Sequence, residues 1–488
     1  MGFVFYATKT SGAGDGGGHM SFVFYDTETT GIDTSFDQIL QFAAIKTDEN
    51  LNILERFEIR SRLLPFVVPA PGALRVTKMT IDRLHDPSTP SHYDMIRAVR
   101  NKLSEWSPAI FLGYNSLRFD EELIRQALYQ TLHNPYLTNR DGNCRGDVLP
   151  LVQATTEFEP DCLTVPYGGN GKPVFKLDQL APANGFAHEN AHDALSDVEA
   201  TIYLCRLVRD GAGDLWNRFL RFTQKAAAAE FLEEAEPFLL TEFYFNRPKH
   251  MPVLRIGQDS EQTNVSVCFD LTHDLNSFRN LTDTQLQSLV VSSPKPLRKI
   301  KANAAPTMTP IDDVPHHLLG DLTHDDIAAR AADLQNDEAL KARLLAAFEA
   351  TKTVYEPNEH VEKQIYEGFA VNADEHLMTQ FHDLPWDQRH TLTSQFQNPK
   401  FGFLAKRLIF AHDPNCLPPA CQQEISAHVH SRVAAPDDSG VKWATLTKAR
   451  SECEKMLAGA DAADLPLLEG YHQYLSDRIA NVTALAMP

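Results

Sequence analysis

Cysteine is scarce in this chain, with seven scattered singly along 488 residues. Cys416 and Cys421 are the nearest pair, and no Cys-x2-Cys or Cys/His set follows a zinc spacing. That excludes a zinc ribbon or finger and a disulfide-stapled scaffold, and it points to free thiols in a reducing cytoplasm. Long apolar runs are missing too. Nothing approaches the roughly 20 residues that cross a bilayer, and no basic-then-apolar cleavable signal layout opens the chain, so no membrane association is expected. Basic residues are in deficit: 45 Lys and Arg stand against 65 Asp and Glu, a net charge of -20. A surface-wide basic footprint for nucleic acid is thereby excluded, although a locally basic groove is not. The Gly168–Pro173 stretch lacks the Gly-Lys-Ser/Thr of a phosphate loop and reads as a turn.

What the chain does offer is a series of carboxylates placed after apolar runs. Tyr25-Asp26-Thr27-Glu28 follows Phe22-Val23-Phe24, and side chains at i and i+2 of a strand share one face. Asp26 and Glu28 therefore project together from a buried strand, where their repulsion demands either protonation or a cation. Hard oxygen ligands select Mg2+ or Mn2+. Asp120 follows Ile110-Phe111-Leu112 and the turn Asn115–Phe119, at a strand end or helix start. His192-Asp193-Ala194-Leu195-Ser196-Asp197 adds a histidine and a fourth acid. From Asp193 the pattern is helical, with Asp197 about one turn in and His192 ahead of the helix. Taken singly, the plain readings are a solvated turn for Asp26 and Glu28, a cap for Asp120, a solvated face for Asp197 and an idle helix-start residue for His192. Four acids and one histidine in this order outweigh them.

The series Asp26-x-Glu28, Asn115-x3-Phe119-Asp120, His192-x4-Asp197 resembles the three-motif signature of the DEDDh 3′→5′ exonucleases. Between the motifs, Gln41-Phe42-Ala43-Ala44-Ile45, Leu112-Gly113-Tyr114-Asn115 and Ala183-Asn184-Gly185-Phe186 resemble the bacterial exodeoxyribonuclease I family. The likeness runs from about residue 21 to 210 and continues more thinly through Leu297–Asn303 and Tyr366–Phe369. It implies an α/β fold: a ribonuclease H-like exonuclease domain, with a mixed sheet flanked by helices, at 21–210. It further implies an SH3-like β-barrel-containing domain at 214–355 and an all-helical domain at 357–488 that closes over DNA like an arm. The implied activity is 3′→5′ degradation of single-stranded DNA to 5′-mononucleotides, in DNA repair or recombination, by a cytoplasmic monomer. The implied partner is the C-terminal tail of the single-stranded DNA-binding protein, received in a basic pocket for which Arg247, Lys249 and Arg298 lie in the right region.

The chemistry follows from the residues. Hydrolysing a phosphodiester needs an activated water, neutralised phosphate charge and a stabilised leaving oxygen, and two divalent ions about 4 Å apart supply all three. Asp26, ending the central strand, is expected to bridge both Mg2+ ions, for which Mn2+ can substitute. Glu28 and Asp197 are expected on the ion that serves the water, and Asp120 near the other; in related enzymes the counterpart of Asp120 often acts through water. His192, whose imidazole titrates near pH 6.5 when unperturbed, is the expected general base.

DNA-path candidates are Lys172 and Lys176, together with Arg298, Lys299 and Lys301 in the densest basic run. That run reads equally well as an edge strand defended by charge. Strands are expected at Phe22–Tyr25, Gln41–Thr47, Phe57–Arg60, Val253–Ile256, Asn264–Leu271 and Leu297–Lys301. Cys144–Val148 reads as the start of a helix, and Thr323–Asp326 as a capping box ahead of one long helix to about Ala350. Tyr366, Phe369, Phe381, Phe401 and Phe403 could stack on bases, but at helical spacing core is the commoner role. Phe3–Gly12 echoes Phe22–Gly31 with Ala7 and Lys9 in place of the two acids, and residues 1–20 are expected to be a flexible, expression-derived extension. Rival readings are an RNA 3′-exonuclease or a proofreading-type nuclease, and, from another class, a catalytically silent single-strand-binding scaffold. The extra domains weigh against the first two, and the intact acids and histidine against the third.

Overall fold

The computed structural model describes residues 21–187, 193–234, 236–353, 356–436 and 439–485. The Phe3–Gly12 echo and His192 lie outside the described residues. The first sheet opens as the expected antiparallel meander of β1 (Ser21–Thr29), β2 (Ile39–Thr47) and β3 (Ile53–Arg60). β4 (Ala109–Gly113) and β5 (Cys144–Asp147) add in parallel, giving the order β3-β2-β1-β4-β5. β1 is central and covered on both sides, so its apolar run is continuous rather than alternating. Phe22 and Phe24 pack toward the helix Ala194–Gly211, while Val23 and Tyr25 pack toward the helices His92–Trp106 and Asp120–Gln130.

The expected helix start at Cys144 is not found. Cys144–Asp147 is a strand, paired with β4 from Ile110 to Gly113, and the helix begins only at Val148. Asp147 caps that helix, its carboxylate accepting the Leu149 N–H at 3.0 Å. Pairing with a buried neighbour overrides the weak strand propensity of Cys-Arg-Gly-Asp.

A second sheet is antiparallel throughout: β6 (Phe238–Tyr244), β7 (Arg247–Gln258), β8 (Val265–Asp270), β9 (Leu297–Lys301) and β10 (Met308–Pro310), in the order β10-β6-β7-β8-β9. One of its faces packs on the helices His324–Gln335 and Glu338–Ala350. The Thr323–Asp326 capping box is present, but the single long helix is two. Asn336 and Asp337 break it, and the Asp337 carboxylate accepts the Leu340 N–H at 3.0 Å to cap the second.

The C-terminal part is helical, with helices that include Asn372–Asp383, Pro399–His412, Pro419–Val433, Leu446–Leu457 and Leu465–Leu485. Phe381 and Phe401 are core residues, whereas Phe369 is 81% exposed. These helices dock on the first sheet's layer through a buried ion triad. Arg407 and Arg432 both donate to one oxygen of Glu362. Their second arms reach across: Arg407 to Gln130 Oε1 at 2.7 Å, and Arg432 to the Phe36 carbonyl at 3.1 Å. Among the described residues no helix is long and apolar enough to cross a membrane.

Candidate active site and acidic metal centre

The C-terminal end of β1 turns Asp26 and Glu28 to the side covered by the helix Ala194–Gly211, whose first turn carries Asp197. One carboxylate oxygen from each of the three lies within 4.8 Å of the others. The pairing of β1 with β2 slips between Glu28 and Thr29, ending the strand just beyond the second acid. Thr27 points to the opposite side, and its hydroxyl donates to Asp120 Oδ1 at 2.5 Å. Asp120, buried, is the first residue of the Asp120–Gln130 helix. The structure therefore brings all four expected acids to one place, three as a cluster and Asp120 behind it.

Local backbone chemistry sets this position. Asn115 adopts a left-handed conformation (φ 59°), and the Asn115 and Leu117 N–H groups donate to the Asp147 carboxylate at 2.8 and 3.2 Å. At Gly113 a Cβ would lie 2.6 Å from the Ser116 Cβ and 2.9 Å from the Tyr25 carbonyl. Only glycine lets β4 turn into the Asp120 helix this close to β1.

The electrostatics are those of crowded acids. Burial, then repulsion from Asp120, Asp197 and Glu28, raises the Asp26 carboxyl well above the usual carboxylate range. Burial and Asp197 push Glu28 to about 8, with Arg60 pulling the other way. Burial lifts Asp120 to about 7, although the bond from Thr27 opposes it. A set of oxygen donors that repel one another, with no thiolate among them, fits a hard divalent cation. Such a cation would supply charge compensation to these acids.

Three contributors escaped the sequence reading. Asp193 accepts Arg60 Nη2 at 3.0 Å and Gln41 Nε2 at 3.1 Å, adding a fifth carboxylate at the rim. Asp147 orients the turn before Asp120, and burial raises its carboxyl to about 6. Glu121, fully buried, ties the underside of β1 to the helix. It accepts the Tyr25 hydroxyl at 3.0 Å, Arg145 at 2.6 Å, Arg125 at 3.0 Å and Thr138 at 2.6 Å. A helix-start acid run at Asp120-Glu121-Glu122 was the one visible hint.

The basic candidates are dispersed. Lys172 and Lys176 are exposed, in a turn and just before the helix Leu177–Ala183. β9 is an edge strand, and its alternation puts Arg298 on one face with Lys299 and Lys301 on the other. Arg298 is mostly buried, 3.7 Å from Glu242, while the Lys299 ammonium sits 5.3 Å from the centre of the Phe348 ring. The run is not one continuous patch.

Residues 23–205 match the Exonuclease family, and residues 359–478 match the Exonuclease I C-terminal domain family. The exodeoxyribonuclease I of Haemophilus influenzae is 28% identical over 384 residues, spanning 73% of this chain and 78% of that protein. E. coli exonuclease I in complex with a dA16 oligonucleotide superposes with a TM-score of 0.83 at 22% identity, over 94% of this chain and 99% of the other. An exonuclease I solved with SSB and the inhibitor CFAM gives a TM-score of 0.81 at 21% identity, over 94% and 100%. At these identities the two structures establish a shared fold.

Proposed function

This chain belongs to the exodeoxyribonuclease I family and is a hydrolytic exonuclease, and from that premise we propose that it removes 5′-mononucleotides stepwise from the 3′ end of single-stranded DNA. The observation that carries this reading is the cluster of Asp26, Glu28 and Asp197, with Asp120 fixed behind it by Thr27. Two divalent cations, Mg2+ with Mn2+ as substitute, supply an activated water and charge neutralisation when bound. Asp26, Glu28 and Asp197 are the residues to hold them, with Asp120 completing the set. His192, on the strength of its motif, takes the proton from the attacking water. Asp193 and Arg60 steady the rim, and the Tyr25–Glu121 bond keeps β1 from moving under the load of repelling carboxylates.

The proposed division of labour follows the family: residues 21–210 carry the chemistry, an SH3-like 214–355 and a helical 357–488 hold the strand. Single strands are selected by a groove too narrow for a duplex. The related oligonucleotide and SSB complexes support single-stranded DNA and the acidic SSB tail as partners. A role in DNA repair or recombination goes with that substrate. The test is end-labelled single-stranded DNA, duplex DNA and RNA assayed side by side with Mg2+ or with EDTA. Cleavage of the single-stranded DNA alone, from the 3′ end and silenced by EDTA, is expected. RNA as the better substrate overturns the DNA assignment, and binding without cleavage leaves a silent scaffold.

A further inference from the structure

The loop joining β1 to β2 begins two residues after Glu28 and is tightly cross-braced. Thr30 N–H donates to the Gln38 carbonyl at 3.0 Å, and Gln38 N–H returns to Thr30 Oγ1 at 2.9 Å. Thr30 Oγ1–H and Asp33 N–H both donate to the Asp37 carboxylate, each at 2.8 Å. Gly31 has no room for a side chain, since a Cβ would lie 2.5 Å from Asp37 Oδ2. The loop is therefore braced internally and tied to the end of β1.

Its outer end is gripped from the helical part of the chain. Arg432, with a side chain 5% exposed, donates to the Phe36 carbonyl at 3.1 Å and anchors its other arm on Glu362. The Phe36 ring lies 4.8 Å from Trp443, 5.7 Å from His360 and 5.1 Å from the Arg432 guanidinium. Gln130 donates to the Ser35 carbonyl at 3.1 Å from the opposite side.

We propose that Arg432 is a positioning residue for the acidic centre. By holding the carbonyl and ring of Phe36 it fixes the Thr30–Gln38 loop, and through that loop the end of β1 that presents Asp26 and Glu28. Docking of the helical part thus sets the cation affinity of the catalytic sheet. Carboxylates that repel one another stay convergent only where the backbone beneath them is held, which is the physical content of preorganisation. This inference rests on reading Asp26, Glu28 and Asp197 as a cation site.

The test compares Arg432→Met with Arg407→Met in the full chain. Each removes one guanidinium from Glu362, but only the first takes a bond from Phe36 itself; the second takes one from Gln130 Oε1, whose Nε2 donates to Ser35. Mn2+ binding to the metal-free protein is followed by electron paramagnetic resonance, and amide hydrogen exchange is followed across residues 30–38. Expected for Arg432→Met are Mn2+ binding weakened about five-fold or more, equivalent to about 1 kcal/mol, and faster exchange in the loop. Arg407→Met should change Mn2+ binding less than about two-fold at a comparable loss of melting temperature. Phe36→Ala, which leaves the buried triad intact, should move both readouts in the direction of Arg432→Met. Wild-type Mn2+ binding in Arg432→Met and Phe36→Ala overturns the inference, as does an equal loss in Arg407→Met. A wild-type protein that binds no Mn2+ overturns the cation site itself, and this inference with it.

Discussion

Replacing Glu362 by Gln preserves shape and removes the one anion between two buried guanidiniums. Glu362, Arg407 and Arg432 expose only 2%, 3% and 5% of their side chains, so solvent screens the triad little. Burial alone would raise the Glu362 carboxyl; Arg407 and Arg432 outweigh it and hold the group at about 2, against an ordinary 4.5. A difference of about 2.5 pH units, at about 1.4 kcal/mol each, amounts to about 3.5 kcal/mol. Because the folded value lies below the unfolded one, that stabilisation is complete above pH 4.5 and drains away as pH falls toward about 2. Glutamine carries no such dependence. Breaking a buried ion pair costs about 3–5 kcal/mol. At roughly 2 °C per kcal/mol for a chain of this size, Glu362→Gln should melt about 6–10 °C below wild type near neutral pH. Between pH 6 and pH 3.5 the gap should narrow by about 1.4 kcal/mol, or about 3 °C. All other carboxylates are common to both proteins and drop out of the difference. Paired thermal melts at the two pH values, in low salt, read it directly. A gap of unchanged size, or a variant as stable as wild type, refutes the charged triad.

Asp26→Ala should abolish metal-dependent release of mononucleotides, and a high residual rate with Mg2+ would remove Asp26 from the centre. His192→Ala should cut turnover heavily while single-stranded DNA binding, measured by fluorescence anisotropy, stays nearly intact; wild-type turnover would place the general base elsewhere. Thr27→Val deletes the hydroxyl on Asp120 without changing volume, and turnover should fall about ten-fold, equivalent to about 1.4 kcal/mol. An unchanged rate would show that Asp120 needs no such support.

Asp26 and Glu28 could be read from the sequence because a period of two on a buried strand leaves one geometry for them, and the structure has it. Asp120 and Asp197 were legible as helix-start residues for a similar local reason. The failures are of two physical kinds. Cys144–Asp147 and the break at Asn336-Asp337 are local choices decided by a neighbour: β4 supplies the first with hydrogen-bond partners, and the Asp337 cap makes two helices cheaper than one. Glu121, Asp193 and the Glu362 triad belong to the second kind. Their partners are brought together only by the tertiary fold, as when Arg432 meets Phe36 from the far end of the chain. The basic run from Arg298 to Lys301 shows the converse, since residues adjacent in sequence are parted by the pleat.

Both sheets end in poor templates for another strand. β9 has five residues and carries Lys299 and Lys301 on one face, and β10 is three residues long and closes on Pro310, which has no N–H to give. β5 has only four residues, and β3 carries Glu55, Arg56, Glu58 and Arg60 along its outer length. Copies of this protein meeting edge to edge find short or charged strands, which disfavours sheet-to-sheet pairing. An extended peptide arriving at the surface meets the same barrier. For such a peptide, side-chain contacts are a better grip than these charged or short edges.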